Sequence, residues 1–204
     1  MRVLITSGPT WVPIDDVRVI SNHSTGKMGR ELAQAFLKAG AKVTLLEGPI
    51  AFDELQRRLK TELKKNVQVV VHAAAVSDYE LKRPFPSKLS SGKRNLSLTL
   101  KPTKKLIQII KKINPKVFLV GFKLESKLTK SKVKGLTKDL FKKASCDLVV
   151  ANKVNGKSYQ GFMVSPQFEI LNQSHSRMNM AKALVREIKR SFDATQDFVI
   201  PTQS

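Results

Sequence analysis

The sequence predicts an α/β fold: three layers, with a mainly parallel sheet covered by helices on both faces. Short apolar runs alternate along the chain with stretches of helical period, and turn residues separate the two. The runs are almost wholly apolar, as strands buried on both faces are.

The first strand is Arg2 to Ser7. A helix follows, starting near Thr25, with Met28, Leu32, Ala35, Phe36 and Ala39 on one face and Gly40 as its stop. Val43–Leu46 is the second strand, and Phe52, Leu55, Leu59 and Leu63 mark a second helix. Val67–Val71 is the third strand. Pro84 to Arg94, rich in Pro, Ser, Gly and Lys, reads as a mobile loop. Leu96–Leu100 alternates and predicts a half-exposed strand. Leu106 to Ile113 has helical spacing and ends at Asn114-Pro115. Val117–Val120 is a strand, and Val133, Leu136 and Leu140 mark a lysine-coated helix. Leu148–Val150 is a further strand, and Gly161 to Leu171 predicts two short strands around Ser165-Pro166. Ser176 is placed to cap a final helix through Arg190. The whole is a Rossmann-like arrangement with a small antiparallel strand segment. It forms one domain over 1–192, with a loosely held tail over 193–204.

With 204 residues, 41% of them apolar, the chain can bury a core. No run approaches the ~18 apolar residues of a membrane span. The single cysteine, Cys146, excludes a disulfide framework and a multi-cysteine metal site, and the expected location is the cytoplasm. The net charge is +21, and eight lysines fall between Lys123 and Lys143 against Glu125 and Asp139. Such a field attracts polyanions. Aromatic residues are only 6%, and no nucleic-acid signature interleaves the lysines, so a solvated lysine-rich surface is favoured over a nucleic-acid site.

The most informative run is Ile20 to Gly29, which reads I-S-N-H-S-T-G-K-M-G. Ser24, Thr25, Gly26 and Lys27 at a helix start describe an anion site, because free N–H groups and the positive dipole end meet there. Asn22 is an extra amide that a phosphate cradle does not need. In an open α/β sheet, ligands bind beyond the carboxyl ends of the strands. The segments there are Ser7–Thr10, Ala73–Tyr79, Gly121–Ser126 and Ala151–Lys153. No G-x-G-x-x-G follows the first strand. The Tyr-x-x-x-Lys pair of short-chain reductases is absent, since Tyr79 is followed at that spacing by Arg83 and Tyr159 by Met163. Met28 after Lys27 breaks the Walker A pattern.

These segments closely resemble the phosphopantothenate–cysteine ligases of coenzyme A biosynthesis, in their free-standing bacterial form without the flavin-dependent decarboxylase domain. The matching runs are Ile5–Thr10, Pro13–Asp15 with Val17-Arg18, Ile20–Gly29, Ala73–Tyr79, Val120–Phe122 and Asp147–Asn152. The resemblance implies that a nucleoside triphosphate, CTP or ATP and more often CTP in bacteria, activates the phosphopantothenate carboxylate as an acyl-nucleotide. Cysteine's amine then displaces the nucleotide. It implies catalytic roles for Asn22 and for Lys88 in a flap. It further implies nucleotide contacts from Ser24, Thr25, Gly26, Lys27, Ala74, Asp78, Phe122, Lys142 and Lys143. Arg18, Asn22 and Ala75 would contact phosphopantothenate. Mg²⁺ would be held through nucleotide phosphates rather than by dedicated side chains. A homodimer paired through a strand segment is implied, with no membrane and no nucleic-acid partner.

The chain departs from the family pattern at several positions. The flap reads Lys88-Leu89-Ser90-Ser91 and keeps only the first family lysine. Leu140 and Ala144 align with a usual lysine pair, leaving Lys138, Lys142 and Lys143 nearby. Lys104-Lys105 replaces a usual Pro-Asp, Trp11-Val12 a common Arg-Glu, and Lys153 a usual Asp. These departures motivate an alternative, a relative that binds nucleotide or phosphopantothenate with weakened catalysis. The charge alone motivates a second, a basic nucleic-acid-binding protein.

Overall fold

The computed structural model describes residues 1–92 and 94–196. In chain order the elements are β1 (Arg2–Ser7), β2 (Thr10–Pro13), β3 (Val19–Ser21), α1 (Lys27–Lys38), β4 (Lys42–Glu47), β5 (Ile50–Ala51) and α2 (Phe52–Leu63). They continue with β6 (Val69–His72), β7 (Tyr79–Leu81), β8 (Leu100–Pro102), α3 (Leu106–Ile113), β9 (Phe118–Leu124) and α4 (Val133–Ala144). β10 (Leu148–Asn155), β11 (Ser158–Val164), β12 (Ile170–Ser174) and α5 (Arg177–Gln196) complete the chain.

The main sheet has seven strands in the order β12-β11-β10-β9-β6-β1-β4. The five from β4 to β10 pair in parallel, and β11 and β12 add antiparallel strands at one edge. Counted among the parallel strands alone, the order is 2-1-3-4-5. The winding therefore reverses between β1 and β6, which is where such sheets open a crevice for ligands. Side chains alternate across the sheet. Val3 and Ile5 of β1 pack with Leu32 and Phe36 of α1 and Met180 and Leu184 of α5. Leu4, between them, packs with Leu55 and Leu59 of α2 and Ile110 of α3 on the opposite face. Burying each such leucine or phenylalanine stabilises by about 1.5–3 kcal/mol.

The α/β class and the mainly parallel sheet are as the sequence predicts, and four local features differ. Helix α1 starts at Lys27 rather than near Thr25, because Gly26 takes φ +70°, outside the helical region. The strand expected over Leu96–Leu100 does not form over 96–99; β8 begins at Leu100 and pairs only with β7. Leu96 and Leu100 are 47% and 43% exposed, so the alternation has no core to face. β2 and β5 form a small sheet with β3, which apolar periodicity did not reveal. Helix α5 runs to Gln196 rather than Arg190. Of the expected tail, 193–196 is the end of α5, and 197–204 lies outside the described residues, as does Lys93 of the expected loop. Ser176 caps α5 as expected, accepting from Asn179 N at 3.4 Å. Among the described residues, no helix is long and apolar enough to cross a membrane.

Candidate active site

The loops leaving β1 and β6 meet at the switch point. Ala75 N donates to Gly8 O at 2.9 Å, and Thr10 N donates to Ala75 O at 3.1 Å. A set of buried hydroxyls fixes the second loop: Ser77 N donates to Thr10 Oγ1 at 2.8 Å, and Thr103 Oγ1 donates to Ser77 O at 2.6 Å. Asn22 is laid across this junction. Its Nδ2 donates to Ala75 O at 3.2 Å and to Val76 O at 2.9 Å. Two carbonyl partners fix which end of the amide is nitrogen, and they use both of its hydrogens. The part left to a ligand is the acceptor Oδ1, on an exposed residue.

Beside Asn22, Gly26 caps α1 in the left-handed conformation without a side-chain cap. Lys27 N makes a long bond to Thr25 Oγ1 at 3.4 Å, and the first turn of α1 carries no acidic side chain that would compete with an anion. Ser7 Oγ donates to Gly26 O at 2.9 Å, and Gly29 lies so close to Ser7 that a Cβ there would collide with its side chain. This glycine lets the helix start sit directly against the end of β1. Arg30 holds the preceding turn, donating to Thr25 O at 2.8 Å and pairing with Glu47 at 2.5 Å. Ser24 is half-buried, whereas Thr25 and Lys27 are exposed.

A second region borders the Ala73–Asp78 loop. It is a cavity of about 550 Å³ reached by Ala74, Asp78, Phe122 and Lys143 of the sequence-predicted set. Lys142 is exposed on α4 and does not line it. Asn22, Ser24, Thr25, Gly26 and Lys27 do not line this cavity, but Asn22 bonds Ala75 O and Val76 O of the loop that borders it. Four lysines line the cavity: Lys104, Lys105, Lys123 and Lys143. Three are paired, Lys105 with Asp78 at 2.5 Å, Lys123 with Glu125 at 3.2 Å and Lys143 with Asp139 at 2.9 Å. Lys104 has no carboxylate partner among the described residues. Lys105 also stands at the N-cap of α3 and leaves that helix start without a side-chain cap. Composition hid these roles, since Lys104, Lys105 and Lys123 look like any other surface lysine. The replacement of Pro-Asp by Lys104-Lys105 was the available signal.

His72 lies at the cavity, buried, with Nδ1 2.9 Å from Thr6 Oγ1. Desolvation pushes its pKa down to about 4, so the ring is neutral at pH 7. Cys146 is buried. Burial first, then the Asp147 charge, raises its pKa to about 12, which removes it as a nucleophile at neutral pH. Among the described residues, no three His, Cys, Asp or Glu side chains converge to hold a metal ion.

Arg18 and Leu89, the neighbour of Lys88, are joined through Asp15, a residue that the sequence marks only within a motif. Asp15 Oδ1 accepts from Val17 N at 2.9 Å and Arg18 N at 2.7 Å. Its Oδ2 accepts from Leu89 N at 3.1 Å and Arg18 Nη1 at 3.2 Å. Burial alone would raise the carboxyl pKa, but the bonds from Leu89, Val17 and Arg18, together with the Arg18 charge, hold it below the ordinary value. Lys88, next to Leu89, is exposed.

The sequence profile of the family described as DNA/pantothenate metabolism flavoprotein C-terminal domain matches residues 1–191. The chain is similar to the coenzyme A biosynthesis bifunctional protein CoaBC of Thermococcus kodakarensis, with 41% identity over 165 residues, covering 74% of this chain and 41% of that protein. It is also similar to the protein of the same name from Methanocaldococcus jannaschii, with 31% identity over 207 residues, covering 93% and 50%. The chain therefore spans half or less of the length of these relatives. Its fold is similar to the crystal structure of the DNA/pantothenate metabolism flavoprotein from Streptococcus pneumoniae, with a TM-score of 0.82 and 26% identity, covering 94% of this chain and 99% of that one.

Proposed function

We propose that this chain, which belongs to the DNA/pantothenate metabolism flavoprotein C-terminal domain family, is a nucleotide-dependent ligase joining the carboxylate of phosphopantothenate to the amine of cysteine. Its relatives named for coenzyme A biosynthesis support the substrate class. The observation that carries the chemistry is Asn22, pinned across the switch point with Oδ1 free, between an uncapped helix start and a lysine-lined cavity.

In this reading the triphosphate occupies the cavity, with CTP the expected nucleotide. A carboxylate oxygen attacks the α-phosphorus, the bond to pyrophosphate breaks, and an acyl-nucleotide forms. Charge building on the leaving pyrophosphate falls to cavity lysines and to Lys88. Lys105, Lys123 and Lys143 exchange their carboxylate partners for phosphate oxygens as the nucleotide enters. Magnesium would be held through the nucleotide phosphates and would supply charge neutralisation there. Cysteine's amine then attacks the acyl carbon, loses a proton and expels the nucleoside monophosphate. Asn22 Oδ1, an acceptor, suits an N–H of the attacking amine. Ser24, Thr25, Gly26 and the start of α1 offer donors to a phosphate group.

The test is pyrophosphate release with CTP or ATP, Mg²⁺, phosphopantothenate and cysteine. Release that requires phosphopantothenate, with amide product that requires cysteine, is expected. No release with either nucleotide overturns the reading. Tight nucleotide binding without turnover would instead favour a relative with weakened catalysis, for which the shortened lysine set of the flap speaks.

A further inference from the structure

We propose that Asp15 is a positioning residue: with Arg18 it forms a clasp that grips the backbone of Leu89 and so sets where Lys88 stands. The inference deepens the ligase reading and rests on it for the role of Lys88.

The geometry is that of a two-sided grip. Asp15 Oδ2 takes the N–H of Leu89 at 3.1 Å, and Arg18 Nη2 donates to the carbonyl of the same residue at 3.0 Å. Both backbone groups of one residue are thus held by a pair of side chains that also bond each other at 3.2 Å. The Asp15 side chain has no exposed surface, and Leu89 is 9% exposed, whereas its neighbours Lys88 and Ser90 are exposed. One buried residue in an exposed stretch is an anchor. Nearby, Phe85 N donates to Ile14 O at 2.8 Å, tying the start of the same stretch to the same support. Asp15 itself is held in place by the N–H groups of Val17 and Arg18. The segment Ile14–Arg18 is therefore a rigid seat, and Lys88 projects from the residue beside the grip.

The clasp also gives Arg18 a second role. Its guanidinium uses Nη1 on Asp15 and Nη2 on Leu89. An anionic group that drew Arg18 away would loosen the carbonyl side of the grip. Asp15 would retain the N–H side.

Asp15→Asn separates these roles. The amide oxygen can still accept from Val17 and Arg18, while the new NH₂ opposes the Leu89 N–H and the Arg18 guanidinium. Hydrogen exchange at the Leu89 amide should speed up at least tenfold in the full chain. In the ligase assay kcat should fall about tenfold in Asp15→Asn and further in Lys88→Ala. Adding Asp15→Asn to Lys88→Ala should bring no additional fall in kcat, because the clasp acts through Lys88. If Asp15→Asn does not fold, Arg18→Lys, at a part-exposed position, keeps the charge but cannot reach both partners, and the same rise in Leu89 exchange is expected. Unchanged exchange at Leu89, or kcat losses that multiply in the double variant, would overturn the proposal. Failure of the ligase reading would show separately, as wild-type protein without turnover.

Discussion

The amide of Asn22 has one functional half and one structural half. Its two hydrogens are committed to Ala75 and Val76 carbonyls, so its position is set by the junction it reports on. Asn22→Ala should lower amide formation by about 10²-fold, as the loss of one positioned hydrogen-bonding group does, while pyrophosphate release falls less and acyl-nucleotide accumulates. The ratio of amide to pyrophosphate checks this, and a ratio still at one would remove Asn22 from the second step. His72 makes a different residue-scale prediction. Its folded pKa, about 4, lies below the 6.5 of an unfolded histidine. Above pH 6.5 both states are neutral and stability is unaffected. As pH falls from 6.5 to 4 the unfolded state takes up the proton first, and up to about 3 kcal/mol of stability is lost. Below 4 the loss levels off. Denaturant unfolding of wild type and His72→Gln across this range should give curves that converge towards pH 4. Parallel curves would mean His72 is not buried as a neutral ring.

At the scale of elements, α3 is the helix that trades stability for charge. Its N-cap is Lys105, extended at φ −75° and ψ 98°, a conformation that a capping serine adopts. A cap is worth about 0.5–2 kcal/mol there. Lys105→Ser should therefore raise the melting temperature by a few degrees and raise the nucleotide KM severalfold, since a cavity cation is lost. If stability rose with no change in nucleotide KM, Lys105 would be a surface lysine and nothing more. The sequence showed this element but not its orientation. Apolar period placed α1 to α4 within a few residues, because each buries one stripe against a sheet face, whereas α5 was marked by its Ser176 cap and runs six residues past the expected end. Short, half-exposed pieces were illegible for another reason. β2, β3 and β7 are four, three and three residues long, too short to show a period, and their pairing comes from the backbone. Asp15 was legible only as a motif letter. Its function lies in a bond to Leu89, 74 positions away, which no local pattern encodes.

For the whole molecule, charge and apolar surface pull in opposite directions. Motifs and strand ends in the sequence marked out the switch point, because topology forces the loops after β1 and β6 together. What lay beyond the sequence was the partition of the site into a helix-start region and a lysine-lined cavity. The expected dimer belongs to the same scale. Val17 and Val19 are 64% and 47% exposed around β3, and Tyr79 and Leu100 are 55% and 43% exposed on the β7–β8 pair. β2, which pairs with β3, also packs against β7. Apolar contact there would have to overcome repulsion between two chains of charge +21. That repulsion reaches about 30 Å at 0.01 M salt and about 8 Å at 0.15 M. Salt should therefore tighten the dimer while weakening polyanion capture at the cavity. Sedimentation equilibrium should show the dissociation constant falling between 0.01 and 0.15 M salt, as nucleotide KM rises over the same interval. Val19→Glu should leave a monomer at both. A mass equal to one chain in the wild type at every salt concentration would remove the dimer. A dimer that salt dissolves would move its interface from the apolar side to ion pairs.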